Sequence, residues 1–312
     1  MTREVLAIVW RAVVALVVAA ALVALGVRGG SSGVAVAGPI VAMGVLWFSL
    51  RRPLRAWRAA RAPLDPEVTT LLERHVRHFA GLSDAQRDAF SRRVARLLAT
   101  LEFESVDGAR DTLELRVMAV AGAALLYVGR DDLQLDETRS VVFYPDAFSE
   151  DYDVAHDARI AGMVHRQGPV LFSERALRDG WDRSSDGYNV SIHEWAHVLD
   201  LEDGFADGIP GLAAGSQAEE QALLTRELAR ARGGRSVLRD YAGTNRAELF
   251  AVATEVFFER PALMRKSHSQ LYDVLSAWLR IDPETLLGEA NAAAPSPSRA
   301  RRKGGAKRGS KR

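Results

Sequence analysis

Two long apolar runs open the chain, and a short polar turn separates them. The first spans residues 5–27 and contains a single charged residue, Arg11, while the second spans residues 34–50. A helix needs about 20 apolar residues to cross a bilayer, with about 17 as the lower limit. The pattern therefore predicts a transmembrane helical hairpin over residues 5–50 with a very short outer loop.

The distribution of arginine gives this hairpin an orientation. Five Arg follow the second run directly, at positions 51, 52, 55, 58 and 61, whereas the turn holds only Arg28. Positive residues remain on the cytoplasmic side of a membrane. We therefore expect a multi-pass protein of the inner (cytoplasmic) membrane, with everything after Arg51 in the cytoplasm. A secretory signal peptide cleaved near Ala35–Ala37 is the alternative.

The pattern after the hairpin predicts a mainly helical domain with a small sheet over residues 62–290. Apolar positions recur at helical spacing in residues 67–101, 217–232, 245–260 and 269–280. Residues 140–144 and 168–173 resemble short strands. Residues 113–128 are mostly apolar and fit either a buried helix or a strand. The predicted fold class is α+β.

Composition fits a globular protein and excludes several kinds of site. Of the 312 residues, 48% are hydrophobic and 26% charged, and there is no cysteine. Disulfides, cysteine-based zinc ribbons, iron–sulfur clusters and a cysteine nucleophile are therefore excluded. The net charge is +1, but residues 1–61 hold eight Arg against one Glu, and residues 299–312 hold eight Lys or Arg and no acid. The body between these basic ends is acidic.

Residues 291–312 are predicted to form a disordered basic tail, because Ala, Pro, Ser, Gly and basic residues dominate there. Contact with an anionic lipid surface fits its charge. Nucleic-acid binding is the alternative, but it is disfavoured because the tail has no aromatic residue for stacking and the body is acidic. The chain thus divides into a hairpin with its basic juxtamembrane segment (residues 1–61), a domain (62–290) and a tail (291–312).

A metal-binding pattern lies in residues 188–200, a stretch without Gly or Pro. His193 and His197 are four residues apart, so on a helix both imidazoles project from one face and can bind one zinc ion. Glu194 follows the first His, where its carboxylate can act as general base on a metal-bound water without binding the metal. Two imidazoles and a carboxylate are costly to bury in an apolar helix unless they are paired or ligated. The motif predicts a catalytic zinc site.

Such a site needs a third protein ligand and one position left for water. Glu248 and Glu255 both lie on a second apolar helix, seven residues apart and so on nearly the same face. Glu248 also fits a capping box with Asn245. The residue types leave both glutamates open as the ligand. Asp200, one turn after His197, is either a hydrogen-bond acceptor for a ligand imidazole or a surface residue at the end of a helix.

Several stretches resemble one family over about residues 65–285. They are GYNVSIHEWAHVLD (187–200), DGFADGIP (203–210), YAGTNRAELFAVATEVFFERP (241–261), VFYPDAF (142–148) and GPVLFS (168–173). These stretches resemble the Mlc titration factor A family of zinc-dependent peptidases, and residues 241–250 also resemble the catalytic domain of anthrax lethal factor. The resemblance implies a zincin-like (gluzincin) domain in which Glu248 is the third zinc ligand and Tyr241 donates its hydroxyl to the oxyanion.

The residues and the resemblance together predict a membrane-anchored zinc metallopeptidase, either an aminopeptidase or an endopeptidase, acting on a peptide or protein substrate. Zinc would polarise the scissile carbonyl, and Glu194 would move a proton from the attacking water to the leaving amine. The alternative is a regulatory binding protein of the same fold that sequesters a protein partner with little or no peptidase activity. The hairpin and the basic tail depart from the soluble family archetype, so its cytosolic partner is not carried over.

Overall fold

The chain folds into an N-terminal helical hairpin and a mainly helical body with one small sheet. This computed structural model describes residues 3–30, 32–130, 140–148, 160–164, 168–183, 185–208 and 217–293. The helices are α1 (Arg3–Arg28), α2 (Ser32–Ala59), α3 (Pro66–His75), α4 (Arg77–Ala80), α5 (Asp84–Thr100), α6 (Leu113–Leu126), α7 (Glu174–Asp182), α8 (Val190–Asp200), α9 (Gln217–Arg232), α10 (Arg246–Glu259), α11 (Pro261–Ser267), α12 (Ser269–Leu279) and α13 (Pro283–Ala293). The strands are β1 (Glu102–Ser105), β2 (Ser140–Tyr144), β3 (Gly162–Val164) and β4 (Val170–Ser173).

Helices α1 and α2 pack side by side in opposite directions. Arg11 reaches the backbone of Ser49, and Gly38 lies so close to Leu22 that an added Cβ would overlap it. Of the twenty exposed large apolar side chains in the described residues, seventeen lie in these two helices. By length and composition, Val9–Arg28 in α1 is a candidate membrane span, and it is the one such helix in the described part of the chain.

The sheet has the order β1-β2-β4-β3. Strands β1, β2 and β4 are parallel, and β3 is an antiparallel edge strand beside β4. The strand predicted at residues 140–144 is confirmed as β2, and β4 occupies the end of the predicted 168–173 segment. Strands β1 and β3 were not predicted from the sequence, because β1 is a polar segment and β3 has only three residues.

The apolar segment 113–128 is a helix, so the strand alternative is wrong. Helix α6 lies at the centre of the body and buries almost all of its length. Gly122 brings α6 against α8, because an added Cβ there would overlap Ser191. Ser191 Oγ donates to the Ala119 carbonyl over 2.9 Å, and the Trp195 indole donates to the same oxygen over 2.6 Å. Helix α6 therefore fixes the position of the helix that contains both candidate ligand histidines.

The C-terminal end of α10 is held by α4. Arg77 Nη2 donates to the Glu259 carbonyl over 2.6 Å, and His78 Nε2 donates to the Phe258 carbonyl over 2.8 Å. Both bonds satisfy carbonyls that the end of a helix leaves without an intrahelical partner. The carboxyl of Glu259 is 2% exposed. Its burial, opposed by the charge of Arg77, raises the pKa of Glu259 to about 8.

Replacing Glu259 by glutamine is expected to stabilise the protein at alkaline pH. The folded-state pKa lies above the unfolded value of 4.5, so the stabilising contribution of the protonated carboxyl is fully present below about pH 4.5 and is lost as the pH rises to about 8. The neutral amide avoids this loss, which is on the order of 4 kcal/mol at pH 8. Thermal unfolding at pH 5.5 and 8.5 measures it, with Glu284→Gln as an exposed control. If the wild-type and Glu259→Gln chains had the same melting temperature at pH 8.5, the raised pKa of Glu259 would be contradicted.

The described body ends in α13, which the sequence pattern did not predict. This helix extends to Ala293 and so passes the predicted start of the basic tail at residue 291. The remainder of the predicted tail lies outside the described residues. The division of the chain at residues 61 and 290 stays a prediction.

Candidate metal centre

Helix α8 places two imidazoles on one buried face. It begins after Asn189, whose Oδ1 accepts the backbone N–H of Ile192 over 3.2 Å. This cap satisfies one of the first N–H groups of the helix, which have no intrahelical partner. His193 is 7% exposed, and its ring lies 4.8 Å from the ring of His197, centre to centre. The i, i+4 spacing thus brings the two side chains together.

Helix α10 supplies the facing carboxylate. Asn245 caps this helix by accepting the backbone N–H of Glu248 over 2.9 Å. The side chain of Glu248 extends towards α8, where its Oε2 atom lies 3.2 Å from His193 Nε2 and 3.4 Å from His197 Nε2. The Asn245 cap of the predicted capping box is therefore present, while the Glu248 carboxylate faces the two imidazoles.

The three side chains have the spacing of ligands on one ion. The two Nε2 atoms lie 3.2 Å apart, and each lies 3.2–3.4 Å from Glu248 Oε2. Ligand atoms on a tetrahedral zinc ion, each about 2.0–2.1 Å from it, are separated by about 3.3 Å. The triangle formed by His193, His197 and Glu248 therefore fits one face of such a tetrahedron and leaves the fourth corner to another ligand.

A buried oxygen of Glu248 gives a second argument for a metal ion in this triangle. Glu248 Oε2 is buried and has no hydrogen-bond partner within the described residues. A buried charged oxygen without a partner is costly, and a cation at the centre of the triangle would satisfy it. Two imidazole nitrogens and one carboxylate oxygen are ligands that zinc accepts in catalytic sites. The residues present fit a metal ion.

The electrostatics of the site favour a cation. Burial by itself lowers the pKa of His193, but the charge of Glu255, the Glu248 carboxylate beside Nε2 and the hydrogen bond to Glu255 outweigh it and raise that pKa to about 10. The two imidazoles in turn hold the pKa of Glu248 well below its usual range, although burial opposes them. Several carboxylates thus surround the triangle, and their combined field attracts positive charge.

Glu255 does not face the triangle but bonds the other ring nitrogen of His193. His193 Nδ1–H donates to Glu255 Oε1 over 2.7 Å, so the Nε2 lone pair is directed at the triangle. Glu255 Oε2 accepts the backbone N–H of Asn189 over 2.7 Å, and Arg239 donates to Oε1. A carboxylate behind a ligand imidazole fixes the tautomer and the ring orientation. The structure thus places Glu248 and Glu255 in different positions, which the residue types could not separate.

Arg239 is a neighbour of the site that sequence reasoning missed. Its guanidinium donates to Glu255, lies 3.4 Å from His193 Nδ1 and packs over the ring of Tyr188, with 4.6 Å between the guanidinium carbon and the ring centre. The ion pair between Arg239 and Glu255 compensates the charge of the fully buried Glu255 carboxylate. Arg239 lies in a loop with no recognisable motif, so its residue type gave no signal.

Glu194 lies at the edge of the triangle, close to strand β3. Its side chain is buried, and burial raises the pKa of Glu194 while the neighbouring imidazoles oppose the shift. An added Cβ at Gly162 would overlap the Glu194 carboxylate. Glycine at this position therefore allows the edge strand to approach the carboxylate closely.

Tyr241 lies near the His193 ring, with 6.1 Å between the two ring centres, and is half exposed. Burial, the charge of Glu248 and a hydrogen bond with Glu248 raise the pKa of Tyr241 to about 12. The phenol therefore keeps its proton at neutral pH and can act as a hydrogen-bond donor.

The segment before Tyr241 is fixed by a chain of hydrogen bonds that we call the Ser236 clasp, formed by Glu227, Ser236 and His268. His268 Nδ1 bonds Glu227 Oε2 over 2.6 Å, and its Nε2 bonds Ser236 Oγ over 3.1 Å. Ser236 Oγ also accepts the backbone N–H of Leu238 over 3.1 Å. The clasp ties the segment that contains Arg239 and Tyr241 to α9 and to the start of α12.

Asp200 is fully buried, so the alternative of a surface residue at the end of α8 is wrong. Its two carboxylate oxygens accept the backbone N–H of Gly208, over 2.9 and 3.1 Å. Residue 208 belongs to the loop after α8, so Asp200 fixes the start of that loop. Residues 209–216, including the end of the DGFADGIP stretch, lie outside the described residues.

Comparison with known proteins gives one consistent result. The model of the glucose-regulated metallo-peptidase M90 family matches residues 50–280. An uncharacterised protein of Synechocystis is 28% identical over 236 residues, which cover 71% of this chain and 86% of the relative. Mlc titration factor A of Cronobacter sakazakii is 31% identical over 245 residues, 72% of this chain and 89% of the relative. Mlc titration factor A of Edwardsiella ictaluri is 33% identical over 177 residues, which cover 52% of this chain and 67% of the relative.

Proposed function

The chain belongs to the M90 family of glucose-regulated metallo-peptidases, and we propose that it is a zinc-dependent peptidase anchored in a membrane. The observation that supports this most directly is the triangle of His193 Nε2, His197 Nε2 and Glu248 Oε2, with sides of 3.2–3.4 Å. Three protein ligands with a fourth position open are the arrangement of catalytic zinc sites, whereas structural sites are closed by a fourth protein ligand.

In this proposal His193, His197 and Glu248 hold the zinc ion. Bound zinc supplies a Lewis acid that polarises the scissile carbonyl and lowers the pKa of water near it. The protein groups behind the ligands keep them in place, because Glu255 fixes the His193 ring and Arg239 compensates the charge of Glu255. The resemblance to anthrax lethal factor stays a prediction and is not needed for this assignment.

Glu194 and Tyr241 are the proposed catalytic side chains. Glu194 accepts a proton from the attacking water and delivers it to the leaving amine, and its burial suits this task because a raised pKa makes the carboxylate a better base. Tyr241 retains its proton and donates it in a hydrogen bond to the oxyanion that forms on the substrate. One such donor typically contributes about 2.7–4 kcal/mol to the stability of the transition state.

Strand β3 offers a place for the substrate backbone. It is one of the two edge strands of the sheet. An edge strand presents backbone N–H and C=O groups to which an extended peptide can add. Gly162 of β3 lies directly against the Glu194 side chain. A peptide paired with β3 would therefore present its scissile bond close to the general base.

Removal of the metal tests the hydrolase proposal. Incubating the detergent-solubilised full chain with a chelator is expected to abolish cleavage of chromogenic aminopeptidase and endopeptidase substrates, and added zinc is expected to restore it. The same treatment should lower the melting temperature, since a ligand that binds only the folded state stabilises it. Cleavage that persists after the metal has been removed, as measured by elemental analysis, would rule out the proposal.

We further propose that α1 and α2 cross the membrane as a hairpin and that the body lies in the cytoplasm. The exposed apolar side chains on both helices favour insertion, and the five Arg between positions 51 and 61 favour a cytoplasmic end. The α1 span alone meets the length and composition of a crossing helix in the described residues, so the crossing by α2 rests on these two arguments.

Cysteine labelling tests this topology cleanly, because the chain has no cysteine of its own. Ser31→Cys, between α1 and α2 in the sequence, is expected to react with a membrane-impermeant maleimide in intact spheroplasts. Ser185→Cys, on an exposed part of the body, should react only after lysis. Labelling of both residues before lysis would place the body outside, and labelling of neither would show that the hairpin does not cross.

A regulatory binding protein of the same fold is the second candidate function. It is suggested by the relatives named Mlc titration factor A, a name that implies a protein partner for those relatives. A chain that binds zinc but cleaves none of the substrates above would favour it. A separate proposal concerns the basic tail, residues 291–312. We propose that it contacts an anionic lipid surface, and nucleic-acid binding is the disfavoured alternative.

A further inference from the structure

The two helices of the hairpin enclose an open groove of about 350 Å³. Val14, Val18 and Leu22 of α1 and Val41 and Val45 of α2 are among its apolar walls. At one end the walls become polar and aromatic. Arg11, Ser49 and Trp10 lie there.

The groove has the length of one leaflet. From Arg11 to Leu22 the helix rises about 16 Å, and half of the hydrocarbon thickness of a bilayer is about 15 Å. Trp10 is 68% exposed and Trp47 is 70% exposed near the Arg11 end. Exposed tryptophans are typical of the boundary between acyl chains and headgroups. The groove therefore extends from a headgroup region to about the middle of the membrane.

The positive charge at the headgroup end exceeds what the hairpin itself balances. Residues 1–64 contain eight Arg and one acidic residue, Glu4. Among the described residues, Arg11 donates to one backbone carbonyl, that of Ser49, at 3.5 Å. Arg51, Arg55 and Arg58 follow on one exposed face of α2, at helical spacing, and add to the positive potential. A guanidinium pairs strongly with phosphate through two parallel hydrogen bonds.

We propose that this groove binds one anionic phospholipid, with an acyl chain between α1 and α2 and the phosphate at Arg11. The inference rests on the proposed insertion of the hairpin. A zwitterionic lipid fits the apolar walls equally well, but its positive headgroup would face the arginines. The net negative charge of a phosphatidylglycerol headgroup therefore decides the preference.

The test uses the full chain reconstituted in phosphatidylcholine vesicles that contain a trace of spin-labelled phosphatidylglycerol or phosphatidylcholine. Electron spin resonance gives the fraction of each lipid immobilised on the protein. The wild-type chain is expected to immobilise phosphatidylglycerol with a several-fold preference. Arg11→Gln and Val18→Phe, which remove the cation and fill the groove, should bring the preference close to parity. Arg28→Gln and Leu16→Phe are the matched controls at the far end of α1 and outside the groove, and both should behave like wild type.

Other outcomes overturn the inference in distinct ways. If Arg11→Gln and Val18→Phe retain the preference, or if only the triple change of Arg51, Arg55 and Arg58 to Gln removes it, the groove is not the lipid site. If the wild-type chain immobilises both lipids equally, there is no selective site. If it immobilises neither lipid, the hairpin is not inserted, and the proposed membrane anchoring fails together with this inference while the peptidase proposal stands.

Discussion

Replacing Glu194 by glutamine is expected to leave zinc bound and to reduce kcat/KM by about 10²–10⁴-fold, the contribution that a positioned general base typically makes. The amide has nearly the shape of the carboxylate, so the contact with Gly162 and the buried environment remain. What is lost is the ability to accept a proton from water. Steady-state kinetics on the best peptide substrate and elemental analysis of the same preparation together measure both effects.

The control for Glu194→Gln is the same exchange at Glu219, an exposed residue of α9 far along the chain from the motif. That variant should keep wild-type kinetics and zinc content. A Glu194→Gln chain that retains most of its turnover would remove Glu194 from the mechanism. Loss of zinc in this variant would instead show that Glu194 is a ligand, and the roles proposed for the site would have to be reassigned.

Zinc affinity is expected to fall far more in Glu248→Gln than in Glu255→Gln. The first change weakens a ligand that faces both imidazoles, at 3.2 and 3.4 Å. The second leaves an oxygen that can still accept the His193 Nδ1–H, and it removes the charge behind the ring and the acceptor for the Asn189 backbone N–H. Changes behind a ligand typically cost about 10–100-fold in metal affinity, and loss of a ligand should exceed that range. Competition with a fluorescent chelator gives both affinities.

This pair of variants is matched, because the same exchange is made on the same helix seven residues apart. If Glu255→Gln weakens zinc binding more than Glu248→Gln, the assignments of the two glutamates are reversed. If neither variant changes the affinity, the metal is bound elsewhere and the central proposal fails. The comparison is informative even when activity is too low to measure.

The local features of the site could be predicted from the sequence because they depend on one helix at a time. The spacing of His193 and His197 fixes both imidazoles on one face of α8 whatever surrounds it. The apolar periodicity of α9 predicted its bounds as observed, residues 217–232. The capping residue Asn245 likewise acts within its own helix turn.

The choice between Glu248 and Glu255 depends on how two helices are placed along each other. Seven residues of helix span about 10 Å, so only one of the two carboxylates can lie level with the Nε2 atoms of both imidazoles. That offset is set by packing between α8 and α10, in which the Asn189 backbone N–H at the start of α8 donates to Glu255 Oε2. No residue type or spacing within α10 encodes it, and only the resemblance to a known family pointed to Glu248.

Arg239 and the Ser236 clasp were missed for a related reason. Glu227, Ser236 and His268 belong to no recognisable motif and are separated by 9 and 32 positions, and they meet only after α9 and α12 have packed. Strand β1 was missed because it is mostly polar and β3 because it has only three residues, so their pairing with β2 and β4 defines them more than their own side chains do.

The Ser236 clasp also bears on how the site changes when a substrate arrives. The segment that precedes Tyr241 is ordered by hydrogen bonds within the free protein, so its conformational entropy is lost during folding and not in each encounter. A peptide that contacts the Tyr241 hydroxyl then has little additional protein chain to immobilise in this segment. The Tyr241 side chain is half exposed, so its hydroxyl is accessible before the substrate enters.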